Sequence, residues 1–176
     1  GGETWENVYE SERPYEITWK GSFPNENVGY VTVMGYNPDS THSQQYVAKT
    51  SDGGATWSEI KLVDDYSARE FGIGFINENV GWVGTMHTLY QTTDGGNSWK
   101  ELNTGRVVNK IRIVKTSTGY TCYALGSNVL KLESGFSDIL LQFGRLCITL
   151  TSSFLIIELF ADDRSGSAFS RSVAIF

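Results

Sequence analysis

Two short segments recur in the same order along this chain, and that repetition constrains the fold more than any other feature. Residues 23–30 read FPNENVGY and residues 75–82 read FINENVGW, so six of the eight positions are identical. Downstream of each lies a second shared segment, TSDGGATW at residues 50–57 and TTDGGNSW at residues 92–99. A chain that repeats two motifs in one order builds the same supersecondary unit several times.

Weaker copies of the repeat lie on both sides of these two. At the start of the chain, residues 1–5 (GGETW) match the second half of TSDGGATW. In a third unit, Gly119-Tyr120 takes the place of the Gly-Trp pair and residues 133–135 take the place of Asp-Gly-Gly, but Asp138 replaces the tryptophan. A fourth unit aligns over residues 147–172 without a recognisable turn sequence. We therefore count about four units.

The pattern inside each unit predicts β-strands. In the second unit, short apolar stretches separated by turn residues predict strands at about residues 71–76, 81–85, 89–93 and 98–102. A repeat of roughly 40 residues has the length of one four-stranded propeller blade. The predicted fold class is therefore all-β, a β-propeller or partial propeller of about four four-stranded blades.

The repeat also predicts the organisation of the chain, residues 1–176 forming a single propeller domain or a fragment of one. A closed four-bladed ring, a piece of a larger propeller and a ring completed by two chains all fit this count. Residues 138–176 carry no tryptophan and no turn motif. This segment is compatible with a diverged blade, with an interface, and with a stretch translated from a non-native reading frame. The predicted parts are 1–10 (fourth strand of a preceding or last blade), 15–62 (blade 1), 69–104 (blade 2), 108–143 (blade 3) and 146–176 (degenerate blade 4).

The second repeated segment resembles the Asp-box, also called the bacterial neuraminidase repeat, which in that family is the turn between the third and fourth strands of a blade. An Asp carboxylate can accept backbone N–H bonds inside such a turn, and its glycines permit positive φ. A catalytic pair of carboxylates must converge on one substrate bond, whereas Asp52 and Asp94 lie in turns of separate repeats. We therefore predict a structural role for both aspartates. The motif residues are Thr50, Asp52, Gly54, Thr56, Trp57, Thr92, Asp94, Gly96, Ser98 and Trp99.

Over residues 1 to about 135 the paired motifs are most similar to the photosystem II assembly-factor group and its bacterial relatives. That resemblance implies a non-enzymatic protein-binding or assembly module in an extracytoplasmic location, whether periplasmic, lipid-anchored or secreted. The alternative is a glycoside hydrolase, sialidase-like or xyloglucanase-like. Against the sialidases, Arg13-Pro14 lacks the isoleucine of their Arg-Ile-Pro segment, and no arginine triad assembles from Arg69, Arg106 and Arg112. We predict no catalytic residue.

Loops outside the repeat consensus are candidates for binding, because function is often added there. In a propeller, the connections between blades and those between the second and third strands share the face opposite the Asp-box turns. Residues 37–45, 64–70 and 86–87 fall on that face. The candidate binding residues are His42, Tyr46, Tyr66, Arg69 and His87.

The composition limits the kinds of partner that this chain is expected to bind. The net charge of −6, with scattered Lys and Arg, excludes a nucleic-acid partner. Two histidines are too few for a metal site without carboxylates, so we predict no metal and no cofactor. No apolar run is long enough to span a bilayer. The expected partners are therefore a protein, a glycan, or a second copy of the chain that pairs through open blade edges. Cys122 and Cys147 either pair or stay as free thiols.

Overall fold

The structure of this protein is a computed structural model that describes residues 2–37, 45–63, 65, 68–135, 146–151, 154–161 and 169–174. The chain forms two compact units, one of residues 1–114 and 121–132 and the other of residues 115–120 and 133–176. Regular structure in the described ranges is β-strand. They contain no helix with the length and apolar character needed to cross a membrane.

The first sheet is a four-stranded antiparallel meander, which we call the first blade. Its strands hydrogen-bond in chain order, β1 beside β2, β2 beside β3 and β3 beside β4. Each strand pairs antiparallel with the one before it in the chain. The strands are β1 (Glu16–Ser22), β2 (Gly29–Gly35), β3 (Gln45–Thr50) and β4 (Ser58–Val63).

The second sheet repeats this plan and is the second blade. It has the same chain-order topology, with β5 (Glu70–Phe75), β6 (Gly81–Thr85), β7 (Leu89–Thr92) and β8 (Lys100–Glu101). Successive four-stranded meanders of one topology are the building blocks of a β-propeller. The all-β fold of four-stranded units predicted from the repeats is confirmed.

Two further sheets have three strands each in the part of the chain that the structure describes. The third has the order β11-β10-β9 and the fourth has the order β12-β13-β14, with β13 antiparallel to both neighbours. Their bounds are β9 (Val108–Lys115), β10 (Gly119–Gly126), β11 (Val129–Gly135), β12 (Leu146–Thr151), β13 (Phe154–Ala161) and β14 (Phe169–Ala174).

Residues 2–15 differ from the sequence prediction. The sequence predicts the fourth strand of a blade over residues 1–10, whereas residues 2–15 contain no strand. A fourth strand forms only beside a third strand that can share its backbone hydrogen bonds. Side-chain contacts hold this segment instead, because the Tyr9 hydroxyl donates to Glu59 (2.5 Å) and its ring centroid lies 5.4 Å from that of Trp57.

The two repeated sequence motifs touch each other, which explains why they recur together. In FPNENVGY the Asn25 side chain accepts the N–H groups of Asn27 (3.0 Å) and Val28 (2.8 Å), which closes the turn between β1 and β2. Asn27 O in turn accepts the N–H of Gly53 in TSDGGATW at 2.9 Å. In the second blade Gly95 N donates to the equivalent carbonyl, that of Asn79, at the same distance.

The main core lies where the first and second blades face each other. Its buried members are Val28, Tyr30, Val47, Leu62, Ile73, Phe75 and Val83, with Val63, Tyr90 and Trp99 packed against them. Burying such side chains is the dominant favourable term in folding. The two blades are therefore held together by aromatic and aliphatic side chains from both.

The opposite side of the first blade points away from the second blade, and we call it the open face. Side chains alternate along a strand, so Val31 points away from the side that Tyr30 faces. Residues paired across neighbouring antiparallel strands share one face. The register extends the open face over Gly21, Val31, Val33, Tyr46, Ala48, Glu59 and Lys61, and of these Val33 and Ala48 are buried.

Candidate functional site

The two Asp-box carboxylates are fully engaged in their own turns. Asp52 accepts the backbone N–H (2.9 Å) and the hydroxyl (2.6 Å) of Thr56, and the hydroxyl of Thr50 donates to it at 2.8 Å. These bonds, led by that from the Thr56 hydroxyl, lower the pKa of Asp52 from its ordinary value of 3.8 to about 2. The Thr50 hydroxyl also accepts the N–H of Gly54.

The second turn repeats this geometry. Asp94 accepts the backbone N–H (2.9 Å) and hydroxyl (2.6 Å) of Ser98 and the hydroxyl of Thr92 (2.9 Å). Burial raises the pKa of Asp94, but these hydrogen bonds outweigh burial and hold it below its ordinary value. Gly54 and Gly96 have φ of 95° and 92°, which only glycine adopts without strain. Two such carboxylates cap turns in separate sheets and do not converge on one bond.

Two of the predicted binding residues share one end of the second blade. The Met86 N–H, in the turn between β6 and β7, donates to Ala68 O at 2.9 Å. His87 follows Met86 and Arg69 follows Ala68, so this bond brings both to that end, where both side chains are exposed. Arg69 has a φ of 35°, unusual for a residue other than glycine. His42 and Tyr66 lie outside the described residues.

Tyr46 lies on the open face rather than at this loop end. The Arg13 guanidinium carbon is 4.6 Å from the Tyr46 ring centroid, a cation–π distance. Arg13 Nε lies 2.7 Å from Glu16 Oε1, and its Nη1 lies 2.8 Å from Glu59 Oε2. The hydrogen bonds to Glu16 and Glu59 raise the pKa of Arg13 above its ordinary value, and the bond to Glu16 has the larger effect. Residues 9–13 thus cover the outer half of the open face, over β3 and β4.

The inner half of the open face, over β1 and β2, carries the residue that the sequence interpretation missed. Phe23 is 62 % exposed, whereas Phe75, its counterpart in the repeat, is 4 % exposed. Trp19 in β1 is also exposed, as are Tyr15 and Tyr36, whose ring centroids lie 5.9 Å apart. The sequence feature that points to Phe23 is its alignment with Phe75 in the first repeated motif.

A small apolar cavity lies between the second and third sheets. Its volume is about 70 Å³, and its lining includes Trp82, Ile111, Cys122 and Leu132. Ligand pockets usually measure about 300 Å³ or more, so this space is too small for such a ligand. Cys122 is a buried free thiol, and burial raises its pKa to about 11. No cluster of three or more metal-ligating side chains occurs among the described residues.

No family model matches this chain, and no curated protein matches it. Nine chains of solved structures do. One is YCF48 bound to D1 peptide, at 19 % identity and a TM-score of 0.45, with 96 % of this chain and 57 % of that chain covered. Another is the GH74 enzyme of Niastella koreensis, at 15 % identity and a TM-score of 0.48, with 89 % of this chain and 28 % of that chain covered. This chain therefore spans less than two thirds of either protein. Both are β-propellers, the fold that the repeats predict.

Proposed function

We propose that this chain is a non-enzymatic protein-binding module whose binding surface is the open face of the first blade. The observation that carries the proposal is the exposure of Phe23, a phenylalanine whose repeat counterpart is buried in the core. Apolar surface left uncovered on a folded domain marks a site of interaction. Aromatic side chains are enriched in protein–protein interfaces because they bury a large area.

The acidic residues support binding over hydrolysis. A glycoside hydrolase needs two carboxyl groups on opposite sides of one bond, roughly 5 to 9 Å apart. Asp52 and Asp94 each serve their own turn, and Glu16 and Glu59 are paired with Arg13. We further propose that the protein acts in the extracytoplasmic location that the sequence resemblance implies.

A display experiment tests this function. A library of random twelve-residue peptides is selected on the immobilised chain, and the chain is assayed in parallel on fluorogenic glycosides. We expect peptides that bind with one-to-one stoichiometry, and glycoside turnover no higher than in buffer. Turnover that disappears when a single carboxylate is replaced would contradict the binding role and favour the hydrolase.

A further inference from the structure

We propose that a cleft between the first two blades, which we call the inter-blade cleft, binds a small amino acid with a basic side chain, such as lysine. The cleft lies at the end of the sheets where the first Asp-box turn begins. It is separate from the open face of the first blade and does not depend on the binding role proposed above. The class of ligand follows from the charges that the cleft brings together.

Two copies of the first repeated motif form the inter-blade cleft. Its volume is about 410 Å³, and its lining includes residues 25–28 of the first blade together with Glu78 and Asn79 of the second. Ligand pockets usually measure about 300–1,000 Å³, so this cleft has room for a small molecule, unlike the apolar cavity beside Cys122. Seven of its eight lining residues are polar or charged, which favours a polar ligand.

Hydrogen bonds fix both motif turns that line the cleft. The Asn77 side chain accepts the N–H groups of Asn79 (2.9 Å) and Val80 (2.8 Å). The same bonds to Asn25 close the turn of the first blade. Each turn is also tied to the Asp-box turn of its own blade by a 2.9 Å hydrogen bond to the carbonyl of Asn27 or Asn79. A site that is fixed before binding loses little conformational freedom on contact.

One wall of the cleft carries an ammonium group that is held in place by neutral partners. Lys49 Nζ donates to Gly95 O at 3.1 Å and lies 5.3 Å from the centroid of the Tyr30 ring. Lys49 is half-buried, and no carboxylate of a described residue lies within 4.0 Å of its Nζ. An ammonium group has three N–H donors, so two of them can donate to a carboxylate in the cleft.

This cation is particular to the first blade. In the strand pairing, Lys49 lies opposite Tyr30, and Gln91 lies opposite Trp82 at the same position of the second blade. The second blade thus has the same topology with a neutral residue at this position. A blade of this type therefore forms without the ammonium group, which leaves the cleft as its reason for being there.

The tips of the two motif turns add two carboxylates. Glu26 and Glu78 occupy the same position of the repeat, are exposed, and line the same cleft. Within the part of the chain that the structure describes, neither carboxylate forms an ion pair or a hydrogen bond. The cleft thus combines one positive and two negative charges that do not pair with one another. A basic amino acid carries the opposite set at neutral pH, one carboxylate and two cationic groups.

The test is an NMR titration of the ¹⁵N-labelled chain with three ligands that differ in charge. L-Lysine should shift the amide signals of residues 26, 27, 51 and 78, with a dissociation constant on the order of 1 mM, because ion pairs at an exposed site are weak. Norleucine lacks the side-chain ammonium, and cadaverine lacks the carboxylate. Each should bind about 2- to 5-fold more weakly than L-lysine.

Three protein variants assign the charges. Lys49→Met should weaken L-lysine binding about 10-fold or more, but should not weaken the binding of cadaverine, which has no carboxylate for Lys49 to bind. Gln91→Met is the matched control in the second blade and should bind L-lysine like the parent. Glu26→Gln should weaken L-lysine binding about 2- to 5-fold, and it tests the cleft even if Lys49→Met does not fold. Circular dichroism checks the fold of each variant.

Three results would overturn this site. One is the absence of shifts with L-lysine well above the expected dissociation constant, and another is equal binding of all three ligands. The third is a loss of L-lysine binding in Gln91→Met as large as that in Lys49→Met. If L-lysine fails while display-selected peptides bind the open face, the cleft proposal fails and the binding role stands. If L-lysine binds the cleft and no peptide binds the chain, the binding role fails and the cleft proposal stands.

Discussion

The ring of Tyr30 lies face to face with the ring of Phe75, with centroids 3.6 Å apart and an angle of 1° between the planes. Their contact joins the second strand of one blade to the first strand of the next. The Tyr30 hydroxyl donates to Glu78 O at 2.6 Å, and Trp99 meets Phe75 edge-on at 6.4 Å. One aromatic cluster thus fixes the distance and the angle between the first two blades.

The repeat offers a matched pair for testing that cluster. Phe75→Ala should lower the free energy of unfolding by about 3–5 kcal/mol, since it removes a buried ring and leaves a cavity. Phe23→Ala should lower it by less than about 1 kcal/mol, because that ring is already 62 % exposed. Urea unfolding measures both. Equal losses for the two variants would mean that Phe23 is buried in solution.

Two substitutions of Asp94 should lower the free energy of unfolding by different amounts. Asp94→Ala removes the acceptor of three hydrogen bonds, and should cost about 1–2 kcal/mol of the free energy of unfolding. Asp94→Asn keeps one acceptor oxygen and should cost less. Thermal unfolding by calorimetry gives both values. A loss for Asn as large as that for Ala would show that the charge matters more than the acceptor geometry.

Acid should destabilise the fold through the same turns. The pKa of Asp52 is lowered from 3.8 to about 2 on folding, so its contribution to stability is complete above pH 3.8 and is lost as the pH falls towards 2. The melting temperature should therefore drop between those values. In Asp52→Asn the drop should be smaller, since the group no longer titrates. An unchanged acid slope in that variant would contradict this role for Asp52.

The two glycines beneath the phenylalanine rings make a second matched pair. Gly81→Ala places a Cβ 2.4 Å from the Phe75 ring and should cost about 1–3 kcal/mol of the free energy of unfolding, because a packed core cannot give way. Gly29→Ala creates the same clash with Phe23, whose ring can turn into solvent. Its cost should stay below about 1 kcal/mol. Chemical denaturation measures the free energy of unfolding of both variants. A larger loss for Gly29→Ala than for Gly81→Ala would contradict the exposure of Phe23 on the open face.

Local motifs made much of this fold predictable. The carboxylates of Asp52 and Asp94 accept hydrogen bonds only from residues within four positions in the chain, so the sequence alone indicates the geometry of these turns. The short apolar stretch at residues 81–85, bounded by turn residues, likewise predicts β6 correctly. The fourth strand predicted over residues 1–10 does not form in the described residues 2–10, because such a strand depends on a third strand beside it and the local sequence does not encode that contact.

The candidate site was harder to predict for the same reason. Phe23 and Phe75 have nearly the same local sequence, and only the packing of whole blades makes one exposed and the other buried. Tyr46 was predicted for the loop end, but its register opposite Val33 turns it towards Arg13 on the open face. Arg69 and His87 do share a loop end, and their role in binding stays a prediction.

Hydrogen–deuterium exchange of the chain saturated with a display-selected peptide compares the open face of the first blade with the loop end of the second blade in one experiment. We expect slower amide exchange in residues 21–33, around Phe23, with no change at residues 84–89. The Phe23→Leu variant should lose that protection. Protection confined to residues 68–70 and 84–89, around Arg69 and His87, would contradict the account and return the binding site to the loop end.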